Sequence, residues 1–273
     1  MKTLRGKTAA VTGAASGLGR AMALAFADEG MDLALADVDE KGLQETLRLV
    51  KGVKASSMRV DVSKSAEVEA FASSLKDVHV VCNNAGVSPL GPLWENTAAD
   101  WQWALGVNLW GVIHGVRAFV PRLIAQGEGH VVNTASVAGL ISPPGMGIYN
   151  VTKHAVVTLS ESLYQDLRVQ GSPVGVSVLC PAYVPTGISN SERNRPKELA
   201  AATQSEQVKS MQEHLRKAVS SGKLSADDVA RAVVAAVKEE RFYILTHPRI
   251  KGAIRARMED VLEERAPRNP LAL

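Results

Sequence analysis

Short apolar runs alternate with longer amphipathic stretches along nearly the whole chain, and this alternation constrains the fold more than any other feature. The runs fall at 7–13, 31–37, 53–61, 78–86, 130–136, 174–182 and 242–247. Several are almost continuously apolar, as in "VHVVC" and "MDLALAD", which is the pattern of parallel strands covered on both faces. Between them lie helical stretches at 17–29, 40–51, 65–76, 97–126, 149–170, 205–219 and 225–241. Strand–helix–strand order predicts a parallel sheet with helices on both faces. The expectation is one doubly wound α/β domain over residues 1–273 with a seven-stranded sheet. Thr97 with Asp100, and Ser225 with Asp228, have capping-box spacing and mark two helix starts. The long polar segment 185–204 breaks the rhythm and reads as a functional loop. Residues 249–265 read as a basic-then-acidic helical tail.

The first strand runs into "TGAASGLG", which opens the first helix. Gly13, Gly17 and Gly19 permit a tight turn and let a pyrophosphate approach the backbone at the positive end of that helix. With Ser16 and Leu18, they form a candidate dinucleotide cradle of the Rossmann type. Asp37 closes the second strand, eighteen residues beyond Gly19. A carboxylate there accepts hydrogen bonds from the adenosine ribose. It also repels a 2′-phosphate by about 1–4 kcal/mol at ~4 Å. Both effects favour NAD over NADP.

"YNVTKHA" places Tyr149 and Lys153 about one helical turn apart, on one face. A nearby cation favours a phenolate and brings an acid/base group closer to neutral pH. Alone the pair is a common surface motif; its place in the chain gives it weight. Taken in order, Thr12-Gly13-x-x-x-Gly17-x-Gly19, Asp61, "NNAG" at 83–86, Asn108, Ser136 and Tyr149-x-x-x-Lys153 resemble the short-chain dehydrogenases/reductases. The resemblance covers roughly residues 5–190.

It implies roles residue by residue. Tyr149 would exchange a proton with the substrate oxygen. Lys153 would lower the tyrosine pKa and hold the nicotinamide ribose. Ser136 would hydrogen-bond the substrate oxygen, and Asn108 would help place a water in a proton relay. Asp61 and Val62 would border the adenine, while Asn84, Ala85 and Gly86 would line the cofactor. Pro181, Val184 and Thr186 would lie at the nicotinamide. The usual glycine after Pro181 is Ala182 here, which requires a backbone conformation that alanine tolerates. Members of the family are commonly homodimers or homotetramers, and the same is expected here.

Other functions find little support. A net charge of +3, from 31 basic and 28 acidic residues, gives no concentrated footprint for nucleic acid. No run reaches the ~18 apolar residues of a membrane span, and no leader-like segment opens the chain, so a cytoplasmic protein is expected. Cys82 and Cys180 end apolar runs and read as buried thiols. The six histidines lack metal-ligand spacing, and Ser136 is not in a hydrolase elbow. Trp103 and Trp110, seven apart, read as one packing face of a helix. Arg193 and Arg195 could clamp a carboxylate but read better as solvated. Leu140, Pro143, Pro144, Met146, Ile148, Tyr183 and Ile188, with Pro89 and Leu93, form a mostly apolar candidate substrate surface.

The reading is therefore an NAD-dependent oxidoreductase interconverting a hydrophobic or aromatic secondary alcohol and its ketone. The alternatives are a 3-oxoacyl-thioester reductase and a non-catalytic NAD-binding regulator.

Overall fold

The structure is a computed structural model that describes residues 1–200 and 205–272. The end of the predicted loop, 201–204, lies outside the described residues.

Seven parallel strands form one sheet in the order β3-β2-β1-β4-β5-β6-β7. They are β1 (Thr8–Thr12), β2 (Asp32–Asp37), β3 (Ala55–Arg59), β4 (Val80–Asn83), β5 (His130–Thr134), β6 (Gly175–Leu179) and β7 (Tyr243–Ile244). This is the Rossmann-like architecture expected from the alternating runs. The two edge strands are shorter than their runs. β3, "ASSMR", is largely exposed, and β7 keeps two residues. Each pairs on one side only and buries less, so the sequence pattern there overstates the strand.

Alternate strand residues face opposite layers. On one face Ala9, Val11, Leu33, Leu35, Val80 and Cys82 pack against α1 (Gly17–Asp28) and α8 (Ala226–Glu239), through Met22, Phe26, Val229 and Val233. On the other face Ala10, Ala34, Val81 and Val131 meet α3 (Ser65–Ser73) and α5 (Gly111–Gln126). Phe71 and Phe119 lock that layer edge to face, their centroids 6.0 Å apart. The remaining helices are α2 (Glu40–Leu49), α4 (Ala98–Ala104), α6 (Gly147–Val169), α7 (Glu206–Ser220) and α9 (Ile250–Leu262).

Both predicted capping boxes are present, Thr97 with Asp100 and Ser225 with Asp228. The stretch expected as one helix over 97–126 is interrupted: Leu105–Trp110 forms a π-helical turn between α4 and α5. The wider turn acts as a one-residue insertion and rotates α5 relative to α4 by about 100°. Trp103 is buried and Trp110 half-exposed. The segment after β6 is not featureless either, containing short 3₁₀ turns at Gly187–Asn194 and Lys197–Leu199. Beyond α9 the chain folds back, and Arg268 donates to the buried Asp260 carboxylate at 3.0 Å. No helix among the described residues is long and apolar enough to cross a membrane.

Strand order reverses between β1 and β4. In an open α/β sheet that switch point leaves a crevice beyond the strand C-termini, and the glycine-rich turn after β1 and "NNAG" after β4 flank it here.

Candidate active site

A cleft of about 780 Å³ opens at this switch point, a size suited to a cofactor with a small substrate. Every residue of the predicted cofactor set lines it: Gly13, Ser16, Gly17, Leu18, Gly19, Asp37, Asp61, Val62, Asn84, Ala85, Gly86, Tyr149, Lys153, Pro181, Val184 and Thr186. Ser136 lines it as well.

The glycines are required by contact. Gly13 has φ +68°, and a Cβ there would stand 2.8 Å from Ala85 Cα; one on Gly19 would stand 2.0 Å from the Gly13 carbonyl oxygen. Between them α1 begins uncapped. Ser16 occupies the N-cap position, yet its side chain makes no cap hydrogen bond, whereas Asp39, Thr97, Ser205 and Ser225 cap their helices. The free N–H groups of α1 therefore face the cleft, an arrangement that suits a phosphate. The Asp37 carboxylate is fixed at the cleft wall by the backbone N–H groups of Ala15, at 2.9 Å, and Asp39, at 3.0 Å. On the far side Thr12 Oγ1 accepts from Asn84 N–H at 2.9 Å, and Asn84 Nδ2 donates to Thr12 O at 3.0 Å, tying β1 to "NNAG". Gly111 lets the loop after β3 lie against α5; a Cβ there would meet Val62 Cγ2 at 2.7 Å. The residues present thus fit a nicotinamide dinucleotide.

Three residues expected to be catalytic, Ser136, Tyr149 and Lys153, gather at the C-terminal end of β5 and the start of α6. Lys153 is buried and its ammonium donates to Thr134 O at 2.8 Å. Its Nζ stands 5.6 Å from the Tyr149 ring centroid. Burial pulls the Lys153 ammonium down to about 8 and pushes the Tyr149 phenol up to about 12, with the Ser136 hydroxyl pulling the phenol back. Loss of water around the phenol is the largest influence on it in this structure. Ser136 is buried and its hydroxyl donates to Pro181 O at 3.3 Å.

Asn108 lies in the π-helical turn and is wholly buried. Its Oδ1 accepts from Val87 N–H at 2.8 Å; its Nδ2 donates to Val87 O at 2.9 Å and Thr152 Oγ1 at 3.1 Å. The side chain thus holds the segment after "NNAG" in place. Ala182 has no positive φ, and its N–H donates to His247 Nδ1 at 3.3 Å, so alanine is accommodated.

The substrate wall departs most from expectation. Of the apolar residues read as facing substrate, only Ile188 lines the cleft. Ile148 is buried beneath α6, since one residue before Tyr149 points about 100° away. Leu93 instead covers Gly147, where a Cβ would come within 2.3 Å of Leu93 Cδ2. The wall also includes Arg193, which read better as solvated, and Trp103, Ser191, Pro196 and Leu199, which the sequence did not single out as substrate-facing. Arg195 is not solvated: its side chain is 4% exposed, pairs with Asp100 and Glu192, and lies 4.8 Å over the Trp103 ring.

The fold, uncapped first helix, wall aspartate and serine–tyrosine–lysine cluster define the architecture of a dinucleotide-dependent oxidoreductase. Residues 7–197 match the family model for short chain dehydrogenase, and the chain belongs to the short-chain dehydrogenase/reductase family. A member from Burkholderia phymatum, solved in complex with NAD, is 50% identical, superposes with a TM-score of 0.97 and covers all of both chains. A CLA biosynthesis dehydrogenase/reductase of Lactiplantibacillus plantarum is 32% identical over 98% of this chain and 97% of its own. A 1-deoxy-11-beta-hydroxypentalenate dehydrogenase of Streptomyces avermitilis is 34% identical over 94% of this chain and 91% of its own.

Proposed function

We propose that this oxidoreductase interconverts a secondary alcohol and its ketone, using NAD in preference to NADP. The observation that carries the reading is the Ser136–Tyr149–Lys153 cluster at one end of a cleft whose other end is closed by Asp37. When bound, the nicotinamide supplies the hydride acceptor or donor. The Tyr149 phenol exchanges the proton of the reacting oxygen, while Ser136 hydrogen-bonds that oxygen and steadies its developing charge. With its pKa near 12 the phenol is protonated at neutral pH, ready to donate to a ketone oxygen; alcohol oxidation draws on the minor phenolate. The Lys153 ammonium, which donates to Thr134 O at 2.8 Å, would hold the nicotinamide ribose.

Ile188, Trp103, Pro196 and Leu199 give the substrate end an apolar character, which supports a hydrophobic or aromatic substrate. A relative named for a hydroxy compound as its substrate fits this reading. The buried free thiols Cys82 and Cys180 support a reducing, cytoplasmic setting. Half-exposed Trp110 on the π turn and Val151 on α6 support a homodimer or homotetramer.

Spectrophotometric turnover with secondary and aryl alcohols, NAD and NADP side by side, tests the reading. NAD-dependent turnover is expected. Tight NAD binding with silence across the panel favours a non-catalytic regulator, and turnover confined to 3-oxoacyl thioesters with NADPH favours the reductase alternative.

A further inference from the structure

We propose that Arg193 is a further cofactor-binding residue, which reaches from the Gly187–Asn194 turn across the cleft and pairs with the diphosphate of a dinucleotide seated on α1. The inference rests on the nicotinamide reading above and adds to it a residue from outside the glycine-rich turn.

The guanidinium is already aimed. Its Nη1 donates to Gly187 O at 2.9 Å and Asn190 O at 2.8 Å, which fixes the plane of the fork. Its Nη2 points across the cleft to Ser16 Oγ, 3.4 Å away. Ser16 is the residue that stands at the N-cap of α1 without capping it. The chain leading into the turn also lies against the glycine motif, where a Cβ on Gly17 would meet Thr186 Cβ at 3.2 Å. Arg193 thus stands over the open amide groups of the first helix.

Its neighbour shows what a structural arginine looks like in this segment. Arg195 is buried and consumed by Asp100 and Glu192. No carboxylate among the described residues pairs with Arg193, so its charge is unmatched at the place where the fold presents anion-binding donors. A planar guanidinium with free N–H groups suits a diphosphate oxygen pair. The pairing would also join the turn carrying Ile188 and Ser191, both in the cleft wall, to α1, so cofactor loading would set the substrate wall.

The test is calorimetric titration of NAD, ADP-ribose and adenosine into the wild type, Arg193→Gln and Arg193→Lys. Glutamine keeps a donor for the two carbonyls and removes the charge. Because the site is exposed, the expected loss is about five- to tenfold for NAD and ADP-ribose in Arg193→Gln, partly restored in Arg193→Lys and shrinking as salt is added. Adenosine, which has no diphosphate, should bind all three proteins alike. Unchanged ADP-ribose affinity in Arg193→Gln overturns the proposal, as does an equal loss for adenosine, which marks a purely structural role. A wild-type chain that binds neither NAD nor ADP-ribose overturns the nicotinamide reading itself.

Discussion

Replacing Asn108 with alanine separates two accounts of that residue. Its amide makes three buried hydrogen bonds, two to the Val87 backbone and one to Thr152. Truncation leaves the Val87 N–H and C=O without their partner in a region closed to solvent. At about 1–3 kcal/mol for each orphaned group, the loss is about 2–6 kcal/mol. For a chain of this size that corresponds to roughly 5–20 °C in Tm. Because Val87 comes directly after Gly86, the cofactor wall should loosen as well, weakening NAD binding. Thermal unfolding by calorimetry and NAD titration read both effects. A Tm within about 1 °C of wild type, with turnover alone reduced, would refute the reasoning and leave Asn108 the proton-relay role alone.

Gly19→Ala places a methyl 2.0 Å from the Gly13 carbonyl oxygen, so the turn must open; at about 1–3 kcal/mol of overpacking NAD should bind about 5- to 100-fold more weakly, measured by titration. Asp37→Ala removes a carboxylate held by two backbone N–H groups and should shift the NAD/NADP selectivity ratio toward NADP by at least about fivefold, read as kcat/KM with each cofactor. Lys153→Met tests the buried ammonium through pH. The folded pKa near 8 lies below the ordinary 10.5, so between those values the unfolded chain binds more protons and wild-type stability rises with pH. The Tm advantage of Lys153→Met should therefore be largest below pH 8 and shrink toward pH 10.5; a difference that is constant with pH contradicts the assigned burial cost.

The sheet was legible because fully covered strands must be apolar on both faces, as "VHVVC" and "MDLALAD" are. The cofactor half was legible for a related reason: backbone contacts at Gly13 and Gly19 tolerate no side chain, so the chemistry leaves a mark in residue type. The substrate half left no such mark. Ile148 and Leu93 are apolar whether they face a ligand or the core, and only the direction in which α6 presents them distinguishes the two. The π turn at Leu105–Trp110 has no periodic signature, so 97–126 read as one unbroken helix. Arg193 and Arg195 are indistinguishable in sequence; their fates diverge because Asp100, distant in the chain, is brought to one and not the other. The tyrosine pKa escapes the sequence for a similar reason, since Lys153 is visible there while the loss of water around the phenol is not.

The central claim is that Tyr149 moves the proton as the hydride moves. The most direct measurement compares Tyr149→Phe with wild type on one active alcohol–ketone pair, with NAD affinity and turnover measured on the same preparations. The account predicts NAD binding close to wild type and turnover reduced at least about a hundredfold, in both directions. Turnover retained in Tyr149→Phe would remove the phenol from the chemistry and contradict the account.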